Sequence, residues 1–245
     1  MIQNIIKGIT SYFGVFQLIS KLKLWKYFAV PMVISFLIAI IIGSLSYVFS
    51  DNVGNYISSL WTWEFGKSAV EMISTIFGGL LIITLGLILF KYIVLALSAP
   101  FMGPISKKIE DHFTGGNITT KQSSSFELLI RGVRISFRNL IRELILTIPI
   151  LLIGLIPIIG IFSAVILFLM QAYFAGFGNI DYTLERHYSY KDSVRFVKQH
   201  RGVAIGNGII FILFLLIPVV GVILVLPLSV TAATIETVKL IEKEK

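Results

Sequence analysis

The chain has 245 residues, of which 56% are hydrophobic and only 14% charged, with a mean hydropathy of +0.89. A soluble domain of this size has no interior that hides so much apolar surface, so a bilayer must form part of its solvent. The absence of cysteine excludes disulfides and thiolate metal sites, and the net charge of +8 lies in segments that flank apolar runs, which points away from nucleic acid.

Residues 1–25 read as a helix lying in the membrane interface, with Ile5, Ile6, Ile9, Tyr12 and Phe13 at helical spacing and lysines between them. The first uncharged run, Tyr27 to Phe49, is too long for a cleavable signal core and reads as a genuine span over 26–50. Trp25, with Trp61 and Trp63 in the following loop, fits aromatic belts at the two interfaces. A second span is expected over 67–99; its uncharged part, Met72 to Phe90, is roughly 28 Å long as a helix. Pro100 is expected to end it. Lys91 lies near its inner end, where it is expected to snorkel to the interface.

Residues 102–143 read as a loop followed by a basic helix, and 181–202 as a second polar loop. Between and after them lie two long uncharged runs, Leu144 to Ile180 and Val203 to Ile235, each broken by the same pattern: Leu155-Ile156-Pro157-Ile158-Ile159-Gly160 and Leu216-Ile217-Pro218-Val219-Val220-Gly221. Proline removes a helical hydrogen bond, and a glycine three residues later relaxes the chain for a reversal. Each run therefore reads as a helical hairpin, over 144–180 and 203–238, with tips at Pro157, Gly160, Pro218 and Gly221. The outgoing arms, roughly 20 and 22 Å long, fall short of a hydrocarbon core of about 30 Å. Partly penetrating hairpins are the expectation, with ordinary tilted spans as the alternative.

Charge placement orients the chain. Lys7, Lys21, Lys23 and Lys26 precede the first span without an acid, whereas the 50–71 loop carries Asp51, Glu64 and Glu71 against Lys67. Basic residues outnumber acids in 102–143 and again in 181–201. Only the 50–71 loop is expected outside, and every other polar segment in the cytoplasm.

Arg131, Arg134, Arg138 and Arg142 recur at spacings of three and four, which puts them on one stripe of a helix that ends at Glu143. The planar fork of arginine suits tetrahedral oxyanions, so the stripe reads either as an anion path, with Glu143 holding an arginine in place, or as an anchor on lipid phosphates. Gln171 and Asn207 are polar groups within the hairpins, and Gly202 with Gly206 forms a small-xxx-small pair suited to close helix approach. His112, His187 and His200 lack metal-ligand spacing and read as loop residues. No P-loop, Gly-x-Ser-x-Gly or His-Glu-x-x-His motif occurs, so neither an enzyme, a cofactor nor a metal is expected.

Ala99-Pro100-Phe101 with Ile109-Glu110, Arg142-Glu143-Leu144, Ile156-Pro157, Asp181-Tyr182 with Glu185-Arg186, Gly208, Ile217-Pro218, and Pro227 with Ala233-Thr234 together resemble the CysZ sulfate permease family, which shares a domain with the etoposide-induced membrane proteins. The resemblance covers nearly the whole chain. It implies one all-α membrane domain with two long spans and two partly penetrating hairpins. It further implies a homo-oligomer in the bacterial inner membrane and sulfate uptake feeding cysteine synthesis. Aligned on Pro31, Lys23-Leu24-Trp25, with Lys26 next, stands where sulfate-transporting members have Gly-Leu-Arg. The expectation is a permease or channel for a small oxyanion, sulfate first, with Lys23 and Lys26 recruiting it, the four arginines and Glu143 along its path, and membrane lipids as partners. A non-transporting, lipid-interacting scaffold of the same fold is the alternative.

Overall fold

The N-terminal segment expected as one interfacial helix folds as two, α1 (Ile2–Thr10) and α2 (Val15–Lys21), separated at Gly14, whose φ of 81° suits a residue without a Cβ. In the computed structural model, which describes residues 1–59, 67–116, 124–154, 159–217 and 220–244, helices account for 90% and the described residues contain no strand. The long helices that follow are α3 (Trp25–Ser59), α4 (Lys67–Thr114), α5 (Ser125–Gly154) and α6 (Ile159–Leu184). Short α7 (Tyr190–Gln199), then α8 (Arg201–Leu215) and α9 (Val220–Glu244) complete the chain. Among the described residues, four stretches are long and apolar enough to cross a membrane: Trp25–Phe49, Leu89–Thr114, Phe162–Leu184 and Ile223–Glu244. Trp61, Trp63, Pro157 and Pro218 lie outside the described residues.

Several boundaries differ from expectation, each for a packing reason. Helix α4 does not stop at Pro100 but runs through it and through Pro104 to Thr114. A proline inside a helix costs about 3 kcal/mol. Here that cost is offset by close packing around the fully buried Met102, Ile105 and Ile109. Two carbonyls of the stretch gain outside donors, Leu95 O from Tyr182 Oη and Gly103 O from Arg186 Nη1. Helix α5 likewise ignores the expected division at residue 144 and joins the basic helix to the first apolar arm. Gly160 and Gly221, expected at hairpin tips, are each the second residue of a returning helix. At Gly221 the missing Cβ serves close packing, because one would lie 1.7 Å from Phe214 O of α8.

Helix α3 packs along α4, where Ile42 meets Gly86, and turns Val33, Leu37, Ile41 and Val48 outward as a lipid-facing stripe. The interior is made by the second half of α4, α6, α8 and α9. Helices α6 and α8 touch backbone to backbone: a Cβ on Gly176 would lie 1.9 Å from Ala204 O, and one on Gly208 would lie 1.7 Å from Ala172 O. Small residues at such crossings let van der Waals contact replace the missing hydrophobic drive of lipid.

The small pair on α8 has an unexpected occupant. Helix α1 lies across Gly202 and Gly206, with Gly8 against the α8 backbone, so the segment is seated on protein. Beyond it Tyr12 Oη bonds Asn207 O (2.9 Å) and Ser229 Oγ (2.6 Å). Asn207 accepts from Asn179 Nδ2 at 2.8 Å and donates to Ser229 O at 3.0 Å, so this amide ties helices together.

Candidate functional site

The arginine stripe is held by a well-started helix. Ser124 accepts from Glu127 N (3.2 Å), and the Glu127 carboxylate accepts in return from Ser124 N (3.1 Å), a reciprocal cap that fixes where α5 begins. From there the four arginines have the expected spacing but four different fates. Arg131 Nε and Nη2 donate to both oxygens of Asp181 (3.0 and 2.8 Å), Nη2 also to Ser193 Oγ (2.7 Å), and Nη1 to Tyr188 O (3.0 Å). Its fork is consumed by protein. Arg134, exposed, stacks over the Tyr190 ring at 4.1 Å. Arg138 stacks over Phe177 at 5.0 Å and donates once, to Asn139 Oδ1 at 2.7 Å. Arg142 is exposed and takes no carboxylate partner among the described residues.

Glu143, expected to steady an arginine, pairs with lysine instead. Lys91 Nζ lies 2.7 Å from both carboxylate oxygens, and Tyr92 Oη donates to the same group. Lys91 is 3% exposed and Glu143 2%, so the lysine does not snorkel. A charge at that depth requires an opposite charge and full hydrogen bonding, and α5 supplies both.

A third polar cluster joins α4, the end of α6 and α9. Arg186 donates through Nε and Nη2 to Glu110 (3.0 and 2.7 Å), through Nη1 to Gly103 O and Tyr182 O, and through Nη2 to Ser106 Oγ. Ser106, Thr183 and Thr234 form a hydroxyl triad with separations of 2.9 to 3.1 Å. His187, expected as a loop residue, lies 2.5 Å from Glu110 Oε1. Arg131 and Arg186 both border a cavity of about 520 Å³, together with Glu127, Glu185, Ser189 and Tyr190, but their donors are already engaged.

The Glu185 carboxylate sits in that wall without a hydrogen bond among the described residues, and Arg186 Nη1 lies 3.9 Å from it. A Cβ at Gly103 would lie 2.2 Å from its Oε1, so the carboxyl presses against glycine backbone. Burial, reinforced by the Asp181 carboxylate and only partly offset by Arg186 and Arg131, pushes Glu185 up to about 8. The folded state therefore holds a proton that the unfolded chain has released, and this contribution to stability falls as pH rises between the ordinary carboxyl value and about 8. Glu185→Gln is expected to remove a slope of up to about 1.4 kcal/mol per pH unit in that window. The check is thermal unfolding of detergent-solubilised protein at several pH values, where wild type and variant must converge toward pH 5 and diverge toward pH 8.

Arg138 and Arg142, with Lys198 of α7, border a second cleft of about 370 Å³ whose other walls are Ile145, Leu146, Tyr173, Phe174 and Val194. Lys198 escaped sequence reasoning, although Lys191, Arg195 and Lys198 mark a basic stripe on α7. Burial, with repulsion from Arg142 added to it, pulls the Arg138 guanidinium below its ordinary value. Lys23 and Lys26 are not brought to this cleft. Lys23 is exposed in a left-handed turn (φ 52°), while Lys26 and Lys108 flank the Tyr27 ring at 5.1 and 3.7 Å. Their helices pack on α4 and α9, whereas α5 packs on α4 and α6.

An all-α membrane protein with a densely ion-paired interior and a separate cleft lined by cations is the class these features define. The chain belongs to the family described as "Sulfate transporter CysZ/Etoposide-induced protein 2.4", whose model matches residues 11–226. Among curated relatives, the sulfate transporter CysZ of Pseudomonas fluorescens is 29% identical over 151 residues, covering 60% of each chain. That of Vibrio parahaemolyticus is 28% identical over 144 residues, covering 56% of this chain and 57% of its own. That of Vibrio cholerae is 28% identical over 205 residues, covering 80% of this chain and 79% of its own. The chain thus spans less than two thirds of the length of the first two. These relatives are named as transporters, a transport function rather than an enzyme.

Proposed function

We propose that the chain is a permease or channel that passes a small oxyanion, sulfate first, across the bacterial cytoplasmic membrane. The observation that carries this reading is the cleft of Arg138, Arg142 and Lys198: three cations with donors to spare that form no ion pair among the described residues. Arginine forks match a tetrahedral oxyanion, and donors not already engaged are the ones an incoming ion can use. Arg131, by the same count, is structural. Relatives named as sulfate transporters support sulfate over other oxyanions. Lys23 and Lys26, exposed beside the start of α3, would serve as a separate recruiting patch.

The same reading orients α1, α2 and the basic ends of α4, α5 and α7 toward the cytoplasm, following the excess of lysine and arginine there. It keeps the two hairpins as partly penetrating elements. Helix α8, with 15 residues, is roughly 22 Å long and is shorter than the hydrocarbon core. Assembly into a homo-oligomer and delivery of sulfate to cysteine synthesis belong to the same proposal.

Radiolabelled sulfate uptake into proteoliposomes tests it. Arg142→Gln combined with Arg138→Gln is expected to lower the initial rate at least about tenfold, the equivalent of about 1.4 kcal/mol of lost interaction with the ion. Unchanged uptake in the double variant would remove the cleft from the path, and no uptake by the wild type would favour the scaffold reading.

A further inference from the structure

The cleft has two chemistries, and a free oxyanion uses only one. Its cationic lining is Arg138, Arg142 and Lys198; its remaining lining is Ile145, Leu146, Phe174 and Val194 with Tyr173. At about 370 Å³ it falls in the size range of pockets that enclose whole organic ligands and far exceeds the need of one sulfate. A hydrated dianion loses solvation against apolar walls and gains nothing from them, whereas a hydrocarbon chain keeps close van der Waals contact along them.

Position along α5 supplies the second argument. Arg142 is the last cation before the uncharged run that begins at Leu144. The cationic side therefore stands at head-group level and the apolar side just below it, among acyl chains. Ile145 is 62% exposed and Leu146 48%, so the cleft opens sideways where lipid lies. Basic pockets between membrane helices suit lipid phosphates, each lysine or arginine near the surface being worth about fivefold in binding.

We propose that this cleft between α5, α6 and α7 binds an anionic glycerophospholipid, with its phosphate among Arg138, Arg142 and Lys198 and an acyl chain along Ile145, Leu146 and Phe174. The inference rests on the reading of these cations as an oxyanion site and adds a second ligand of the same chemistry. Lipid phosphate and free sulfate then compete for one set of donors, so the anionic lipid content of the membrane sets how much of the site is open to the ion.

Full-length protein in mild detergent, mixed with phosphatidylglycerol or phosphatidylcholine at equal concentration and analysed by native mass spectrometry, tests the site. Phosphatidylglycerol is expected to be retained roughly tenfold more than phosphatidylcholine. Arg142→Gln should reduce retention about fivefold. Leu146→Asn, which leaves all three cations in place, should reduce it roughly tenfold by spoiling the apolar wall. Both residues are exposed, so neither variant threatens the fold. Equal retention of the two lipids, or wild-type retention by Leu146→Asn, overturns the proposal. So does glycerol phosphate, the head group without chains, displacing the lipid at equal concentration. Selective retention of phosphatidylglycerol by a protein that passes no sulfate would uphold the lipid site and refute only the transport reading.

Discussion

Lys91→Met is expected to destabilise the protein by about 3–5 kcal/mol, one of the two largest effects anticipated for a single substitution here. The substitution leaves Glu143, 2% exposed, with Tyr92 as its remaining partner and no opposite charge. Methionine fills much of the volume of lysine, so the loss is electrostatic rather than a cavity. For a chain of this length the melting temperature should fall by roughly 10 °C. The decisive comparison is Lys91→Met with Glu143→Leu in one chain. Replacing both members of a buried pair by apolar groups is often neutral or stabilising. The double variant should therefore recover most of the loss in thermal unfolding of detergent-solubilised protein. A double variant as unstable as the single one would show that packing at this site, and not charge, sets the cost.

The second large effect belongs to Arg186. Its five N–H groups are distributed over Glu110, Ser106, Gly103 O and Tyr182 O, so one guanidinium serves the Glu110 carboxylate and two backbone carbonyls. Arg186→Met should cost about 3–5 kcal/mol, because Glu110 keeps only His187 and the Ser106 hydroxyl loses a donor. Arg186→Lys is the informative control. It keeps the positive charge but replaces a planar fork by a point charge with three donors, and should regain only part of the loss. If lysine restored full stability, net charge alone would explain the cluster and the geometry of the fork would be incidental. Chain yield from membranes, measured alongside the melting temperature, separates failure to fold from lowered stability.

The apolar layout is legible in the sequence alone, because spans and breaks depend on composition over long windows. The all-α class and the long helix from Trp25 followed from that. Boundaries were less legible. Pro100 looked like a stop because the local cost of proline is fixed, whereas burial of Met102, Ile105 and Ile109 depends on helices far along the chain. Residue 144 looked like a boundary because charge ends there, but the end of charge marks a change of solvent and not of backbone.

The site shows the same division. Helical spacing placed the four arginines on one helix, but which of them stays free depends on Asp181 and Ser193, separated from Arg131 by 50 and 62 residues. Lys91 and Glu143 were both visible as charges beside apolar runs, yet nothing local indicated that they meet. Lys198 was detectable as part of the basic stripe on α7, and weighing that stripe together with Arg138 and Arg142 would have pointed to the cleft.

The seat of α1 on α8 bears on how the chain is made. Tyr12 is synthesised 195 residues ahead of Asn207, its anchor. At roughly 5–20 residues per second, the ribosome needs about 10–40 s to cover that distance. Throughout that interval Ile5, Gly8 and Tyr12 have no groove to enter, so α1 leaves the ribosome well before its seat on α8 exists. A chain stalled before residue 202 would carry α1 with its inner face uncovered.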